Sequence, residues 1–350
     1  PRGSSPDKVD LKLGLDEKST GSWTFGVGFS QLEKVFIRSS IKQNNFLGKG
    51  LSTNLSGDIG ARTQNINTSI TDPYFLGENI SVSLNVFKRQ SRFQSITSFK
   101  ENSFGGGVGI GVPITENTTY NVSYQYSRNN IFDIPAGASI FLLAQAGTQT
   151  TGELVQSLTW DTRNSFLTPT SGSLLSGSFG VAGVGGSSRF VTSAGRAASY
   201  FKLADGIIFN PSAEARYIRG YNGQAVPIYR LISLGGIGSV RGFDSSGISI
   251  RDPVTNDLIG GNKSAFVNLY LFFPLPYMRT SGFRGVSFVD MGDVADFNQT
   301  LSFSKARIST GFGIEWISPI GPIGLSWAFV LRDRQNDIRK KFEFALGSTF

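Results

Sequence analysis

The sequence predicts an all-β fold, a 16-stranded antiparallel transmembrane β-barrel, and three observations predict it. Apolar and small polar residues alternate with period two from end to end, which marks a sheet whose two faces meet different surroundings. About sixteen such segments succeed one another over residues 22–350, one every ~20 residues, the spacing of a tilted ~10-residue membrane strand plus its connection. No run approaches the ~18 uncharged apolar residues that a membrane-spanning helix requires.

Composition agrees with this reading. The chain has 350 residues with Gly 43, Phe 29, Cys 0 and His 0. Without cysteine or histidine there is no disulfide scaffold, no Cys/His metal cluster and no histidine-dependent triad, and no motif marks a catalytic carboxylate pair. The sequence therefore points to a protein that is not an enzyme and needs no cofactor. Charged residues make up 17%, against ~25% in a soluble globular chain. Lys+Arg 33 against Asp+Glu 25 leaves +8, but the charges are scattered without a basic run, as on a solvated lumen and its loops. No nucleic-acid partner is expected.

Each segment carries the alternation. Trp23, Phe25, Val27 and Phe29 alternate with Thr24, Gly26 and Gly28; Val35, Ile37 and Ile41 oppose Arg38, Ser40 and Lys42; Leu55 and Ile59 oppose Asn54, Ser56 and Asp58. The pattern returns at Ile80/Val82/Leu84/Val86, Val108/Ile110/Val112/Ile114 and Tyr120/Val122/Tyr124/Tyr126. Farther on, the polar face carries Arg196, Glu214, Arg216 and Glu315, and the apolar face ends in Ile308/Phe312/Ile314/Trp316, Leu325/Trp327/Phe329/Leu331 and Phe342/Phe344/Leu346/Phe350. Backbone groups in lipid must be satisfied within the protein, and a closed barrel does this with no free edge, so the polar faces are read as a lumen.

Connections fall into two classes. Short turns sit at 45–48, 72–77, 113–116, 167–169, 204–206 and 318–322, and long loops at 89–102, 129–152, 220–264 and 332–340. Short turns on one side and long loops on the other are the outer-membrane pattern, which makes the first set periplasmic and the second extracellular. Residues 221–263 show no sustained alternation, and a loop of that length is expected to act as a plug, lid or binding element. Its middle, Leu234-Gly235-Gly236-Ile237-Gly238-Ser239-Val240-Arg241-Gly242-Phe243, lacks the Lys-Ser/Thr ending of a phosphate-cradling loop. The glycines instead permit a tight reversal that positions Arg241 and Phe243.

At Val240-Arg241-Gly242-Phe243 the sequence resembles the outer-membrane β-barrel assembly superfamily, whose sixth extracellular loop folds into the lumen and carries this tip. Asn45-Phe46-Leu47-Gly48, Asp72-Pro73-Tyr74-Phe75, the Asp161/Arg163/Pro169/Gly172 spacing, Phe288-Val289-Asp290-Met291-Gly292 and Trp316-Ile317-Ser318-Pro319-Ile320-Gly321-Pro322 are similar to the bacterial assembly factors of that superfamily. The resemblance implies a lid formed by residues 221–263 and an ion pair between Arg241 and Asp290 on the lumen wall. Relatives often add a second acidic residue one strand earlier, where this chain carries Tyr270. Residues 21–350 are expected to form the barrel. Residues 6–20 resemble the end of a periplasmic transport-associated repeat, several of which precede the barrel in the family, and residues 1–5 resemble the remnant of an expression tag.

The function the resemblance implies is that of an insertase in the outer membrane of a Gram-negative bacterium. Its partners would be unfolded outer-membrane protein clients, outer-membrane lipid including lipopolysaccharide, and accessory lipoproteins acting through the periplasmic repeats. The working part would be the seam between the first strand, with Trp23, Phe25, Gly26 and Gly28, and the last, with Phe342, Phe344, Leu346, Gly347 and Phe350. A weakly paired seam exposes N–H and C=O groups that template an incoming strand. Gly26, Gly28 and Gly347 read equally well as flexible points or as small residues in a crowded lumen. The alternatives are a protein-export transporter of the same superfamily, of the two-partner-secretion type, and a passive diffusion porin, which needs a wide constriction and no lid.

Overall fold

The structure, a computed structural model, describes residues 20–30, 34–92, 99–276, 282–318 and 321–346. The strands are β1 (Gly21–Ser30), β2 (Lys34–Phe46), β3 (Leu51–Gly60), β4 (Thr63–Asp72), β5 (Ser81–Ser91), β6 (Lys100–Thr115), β7 (Thr118–Phe132), β8 (Gly147–Asp161), β9 (Gly172–Ala204), β10 (Ile207–Gly220), β11 (Lys263–Pro274), β12 (Phe283–Ala295), β13 (Arg307–Ser318), β14 (Gly321–Arg332) and β15 (Phe342–Leu346). They form one sheet in sequence order, each antiparallel to the next. The two ends of that order, β1 and β15, lie alongside each other. Among the described residues no ladder joins them.

The 33-residue β9 is two strands. Fully extended it would measure about 110 Å at ~3.3 Å per residue, several times the thickness of a bilayer core. Its first arm pairs with β8 from Leu174 to Gly186, and its second pairs with β10 from Phe190 to Ala204. The arms face each other, with Ser173 Oγ 2.8 Å from Ser199 Oγ. The chain reverses where Gly183, Gly185 and Gly186 take φ of 128°, 78° and 82°, values that side chains with a Cβ rarely adopt. The sheet therefore has sixteen antiparallel strands.

Side chains are arranged inside out relative to a soluble protein. Trp23, Phe25, Val27, Ile37, Leu84, Phe104, Leu154, Phe179, Phe312 and Phe329 are exposed on the outer face, where lipid would solvate them. Polar and charged residues fill the inner face in ladder pairs such as Arg196 with Glu214. Arg284 donates to Glu315, which is fully buried, and lies over the Phe272 ring at 4.0 Å. The long connections 133–146, 221–262, 296–306 and 333–341 all fall at one end of the sheet, but that end also holds short reversals, Ala61-Arg62 between β3 and β4 and the turn inside β9, so the expected division into a short-turn end and a long-loop end is only partial. One turn shifts from its expected place: β6 runs through Pro113 and Ile114 to Thr115, so the reversal falls at Glu116-Asn117, because the β6–β7 ladder continues to Thr115 opposite Thr118.

Residues 221–262 connect β10 to β11 and fold back between the walls. Leu234, Val240, Phe243 and Ile248 of this segment form a buried cluster with Phe266 of β11 and Val294 of β12. Farther along, Ile228 packs with Phe99, Ile131 and Leu142, the last from the short helix α1 (Ile140–Leu143) in the 133–146 loop. A buried aliphatic or aromatic side chain contributes ~1.5–3 kcal/mol, so the inward segment adds apolar core to the wall's own cluster of Ile208, Tyr270, Phe272, Val286, Phe288 and Ala328.

Candidate functional site: the seated lid and the strand seam

The lid turns at a tight reversal. Gly235, Gly236 and Gly238 all have positive φ. Gly236 N donates to Val240 O at 3.1 Å, Ser239 N donates to Gly236 O at 3.2 Å, and Gly235 N donates to Ser239 Oγ at 2.9 Å. This reversal delivers Val240, Arg241, Gly242 and Phe243 to the wall, where the three side chains are all but inaccessible. Gly242 has φ 90°, and a Cβ there would lie 3.1 Å from Val330 and 3.3 Å from both Ala328 and Ser309. Only glycine allows the tip to approach β13 and β14 this closely.

Arg241 meets Asp290 as the resemblance implies. Its Nε donates to Asp290 Oδ2 at 2.8 Å, its Nη2 to Oδ1 at 2.9 Å, and its backbone N to Oδ2 at 3.0 Å. Side-chain exposure is 1% for Arg241 and 0% for Asp290. The guanidinium lies over the Phe288 ring at 3.4 Å and the Tyr270 ring at 4.6 Å, an arrangement of planar fork and π faces that an ammonium cannot reproduce. Asp290 therefore faces inward, which its local sequence does not dictate, because both faces of the stretch from Val286 to Met291 carry apolar residues.

Two further participants were not singled out by sequence reasoning. Asn268, directly opposite Asp290 in the β11–β12 ladder, donates from Nδ2 to Asp290 Oδ1 at 2.8 Å and to Ser239 O at 2.6 Å. Thus Tyr270, two residues on, does not replace a second acid as a hydrogen-bonding partner; it supplies a ring face. The second carboxylate comes from β15, where Glu343 Oε1 accepts from Gly242 N at 3.1 Å. The parity of the last strand places Glu343 on the inner face, and that was the available signal. Its partner is 101 residues away and had no local signature.

The lid is also tied elsewhere. Arg230 Nη2 donates to Glu153 Oε2 at 2.6 Å, and Tyr229 contacts Asn129 and Thr151 of the β7–β8 wall at 3.0 Å each. At the long-loop end Ser139 donates from its hydroxyl to Asp252 Oδ2 at 2.5 Å and from its backbone to Asp257 Oδ2 at 2.7 Å. The Ser139 hydroxyl, with the amides of Thr255 and Val254, holds the Asp252 carboxyl below its ordinary pKa. Between lid and wall remains a cavity of about 760 Å³ bordered by Glu101, Gln125, Glu153, Arg216 and Tyr229, the size of a small-molecule pocket rather than a polypeptide passage.

At the seam, Trp23 and Phe25 are exposed on the outer face, with Trp23 Nε1 donating to Ser39 Oγ at 3.0 Å. Phe342 packs its ring 5.0 Å from Trp327 of β14, and Leu346 is opposite Ile323 in the ladder. Phe344 is opposite Leu325. A Cβ on Gly26 would meet nothing within 4 Å, so crowding does not explain that glycine. Gly28 is buried. Gly347 and Phe350 lie outside the described residues, as do residues 1–19.

The Omp85 superfamily domain matches residues 45–350. Outer membrane protein assembly factor BamA of Nitratidesulfovibrio vulgaris is 28% identical over 354 residues, covering 98% of this chain and 44% of that protein. The crystal structure of BamA from Haemophilus ducreyi lacking POTRA domains 1-3 superposes with a TM-score of 0.85 at 26% identity, covering 95% of this chain and 71% of that one. CdiB from Acinetobacter baumannii, at TM-score 0.62 and 16% identity over 93% of this chain and 59% of that one, shares the fold. The chain spans about half the length of the curated relatives it matches.

Proposed function

The chain belongs to the Omp85 superfamily, and from that membership we propose that it is the barrel of an outer-membrane insertase, which receives unfolded β-barrel clients and helps them fold into the membrane through the seam between β1 and β15. The observation that carries the reading is the pairing of a filled lumen with an unladdered edge. The lid occupies the interior and is fixed at Arg241–Asp290, while the adjacent edges β1 and β15 have no ladder among the described residues. A client cannot use the interior in this state. Edge strands, in contrast, offer backbone groups that pair with an incoming strand.

The surroundings follow from the same reading: the outer membrane of a Gram-negative bacterium, with lipid that includes lipopolysaccharide at the outer face, and accessory lipoproteins bound through periplasmic repeats. No catalytic chemistry is assigned, and the work is templating and local weakening of the bilayer. Protein export through the lumen would require the lid to leave, breaking a buried ion pair, and a diffusion porin would require an open constriction.

The test is insertion of a small unfolded barrel client into vesicles that contain the full-length protein. Faster client folding than in empty vesicles supports the proposal. Release of a soluble partner to the opposite side with no gain in client folding supports export instead, and a large steady conductance unaffected by shortening residues 221–263 supports a porin.

A further inference from the structure

The lid tip touches the closing strand as well as the lumen wall. Residues 242–247 run beside 338–340 as a short antiparallel ribbon: Lys340 N donates to Gly242 O at 2.8 Å, Asp244 N to Ile338 O at 2.8 Å, and Ile338 N to Gly247 O at 3.1 Å. Phe243 and Arg339 are bridge partners, and Lys340 Nζ lies 2.8 Å from Asp244 Oδ1. The ribbon leads without a break into β15, whose second residue, Glu343, is buried and reaches back to Gly242 N. Gly242 follows Arg241 directly, so Asp290 of β12 and Glu343 of β15 grip consecutive residues of one tip.

We infer that Glu343 is a positioning residue that ties the closing strand to the lid tip, so that seating of the lid and the position of β15 at the seam are coupled. The geometry gives Glu343 little other purpose. It is a carboxylate on the inner face of the sheet's last strand, opposite the buried Ser326 of β14, and burying a charge is unfavourable unless it is hydrogen-bonded. The ladder holding β15 to β14 runs from Ile323/Leu346 to Trp327/Phe342 among the described residues, and Ala328 N donates to Lys341 O at 2.8 Å just beyond it. The tie from the lid adds to these few bonds at the end of β15 that leads in from the lid ribbon.

The coupling rests on the reading of the seam as the client's route, and the experiment separates the two. Spin labels on Val27→Cys and Lys341→Cys, introduced into the Cys 0 background of the full-length protein in lipid vesicles, report the seam distance; client insertion is measured in the same vesicles. Glu343→Ala should raise the ratio of wide to narrow seam about tenfold, Glu343→Gln, which keeps the acceptor, should match the parent, and Glu343→Asp, one methylene short, should resemble Ala and stands in for it where Ala does not fold. Seam distances in Ala and Asp that superpose on the parent, or a Gln variant as loose as Ala, would overturn the tie. A seam that loosens in Ala and Asp while insertion stays unchanged supports the tie and contradicts the lateral route.

Discussion

Asp290 accepts three hydrogen bonds from Arg241 and one from Asn268 at a position with no accessible surface, and a charge so placed is tolerable only with its partners. Removing one member of a buried pair costs ~3–5 kcal/mol, chiefly because the other charge stays behind. Arg241→Ala is therefore expected to unseat the lid while the barrel still folds, read as loss of protease protection and faster amide exchange over 234–248. Arg241→Lys should rescue little, since an ammonium cannot span both carboxylate oxygens or stack flat on Phe288. Gly242→Ala introduces a Cβ within 3.3 Å of three neighbours at φ 90°, a backbone strain of ~1–3 kcal/mol, and is expected to give a weaker form of the same phenotype. Asp252 adds a pH dependence at the lid's outer end. Its pKa in the folded state is lowered by Ser139 and two amides, so its stabilisation is present above the unfolded value of ~3.9 and is lost as pH falls through the lower folded value. The contact between the lid and the 133–146 loop should open below about pH 4 and close on return to neutrality, as monitored by proteolysis. Asp252→Asn should flatten that transition.

Among the described residues, β15 has the shortest ladder. Its described ladder ends at Trp327/Phe342, whereas β6 and β7 pair from Lys100/Phe132 to Thr115/Thr118 and β13 is laddered on both sides. Exchange tracks local opening, so amides of β15 are expected to exchange before those of β7, β8 and β13; protection of β15 equal to theirs would contradict a weak edge. Alternation made nearly every strand legible, because a lipid-facing and a lumen-facing row differ at every second residue. The turns were legible where Gly, Pro or Asp marked them. The hairpin inside β9 was not among the long loops read from the sequence, because Gly183, Gly185 and Gly186 continue a small-residue pattern shared by the strands around them. The 296–306 connection between β12 and β13 was missed for a different reason: Phe303 and Leu301 lend it a strand-like texture, while it holds a short helical turn, Phe303–Lys305, beside the wall.

Taken as a whole molecule, the chain combines a lumen filled by its own loop with a sheet whose two edges come together at β1 and β15. The Arg241–Asp290 pair could be named from the sequence because a recognisable tip and a recognisable strand carried it. Glu343 and Asn268 could not, since their roles depend on strand register and on how deeply the tip is inserted, which no local pattern encodes. Register also decides the outer surface, where one slipped residue would turn Trp23 and Phe25 into the lumen. Beside the lid lies a cavity of about 760 Å³, and in the proposed function the interior supports the wall while the seam acts on the client. That claim is tested most directly by locking the seam: a cysteine at one of residues 22–27 and another at one of 342–346, screened for the pair that forms a disulfide in the Cys 0 background of the full-length protein. The account predicts that the oxidised protein stops inserting client barrels and recovers on reduction, with the lid pair intact in both states. Full insertion activity with the seam covalently closed would contradict it.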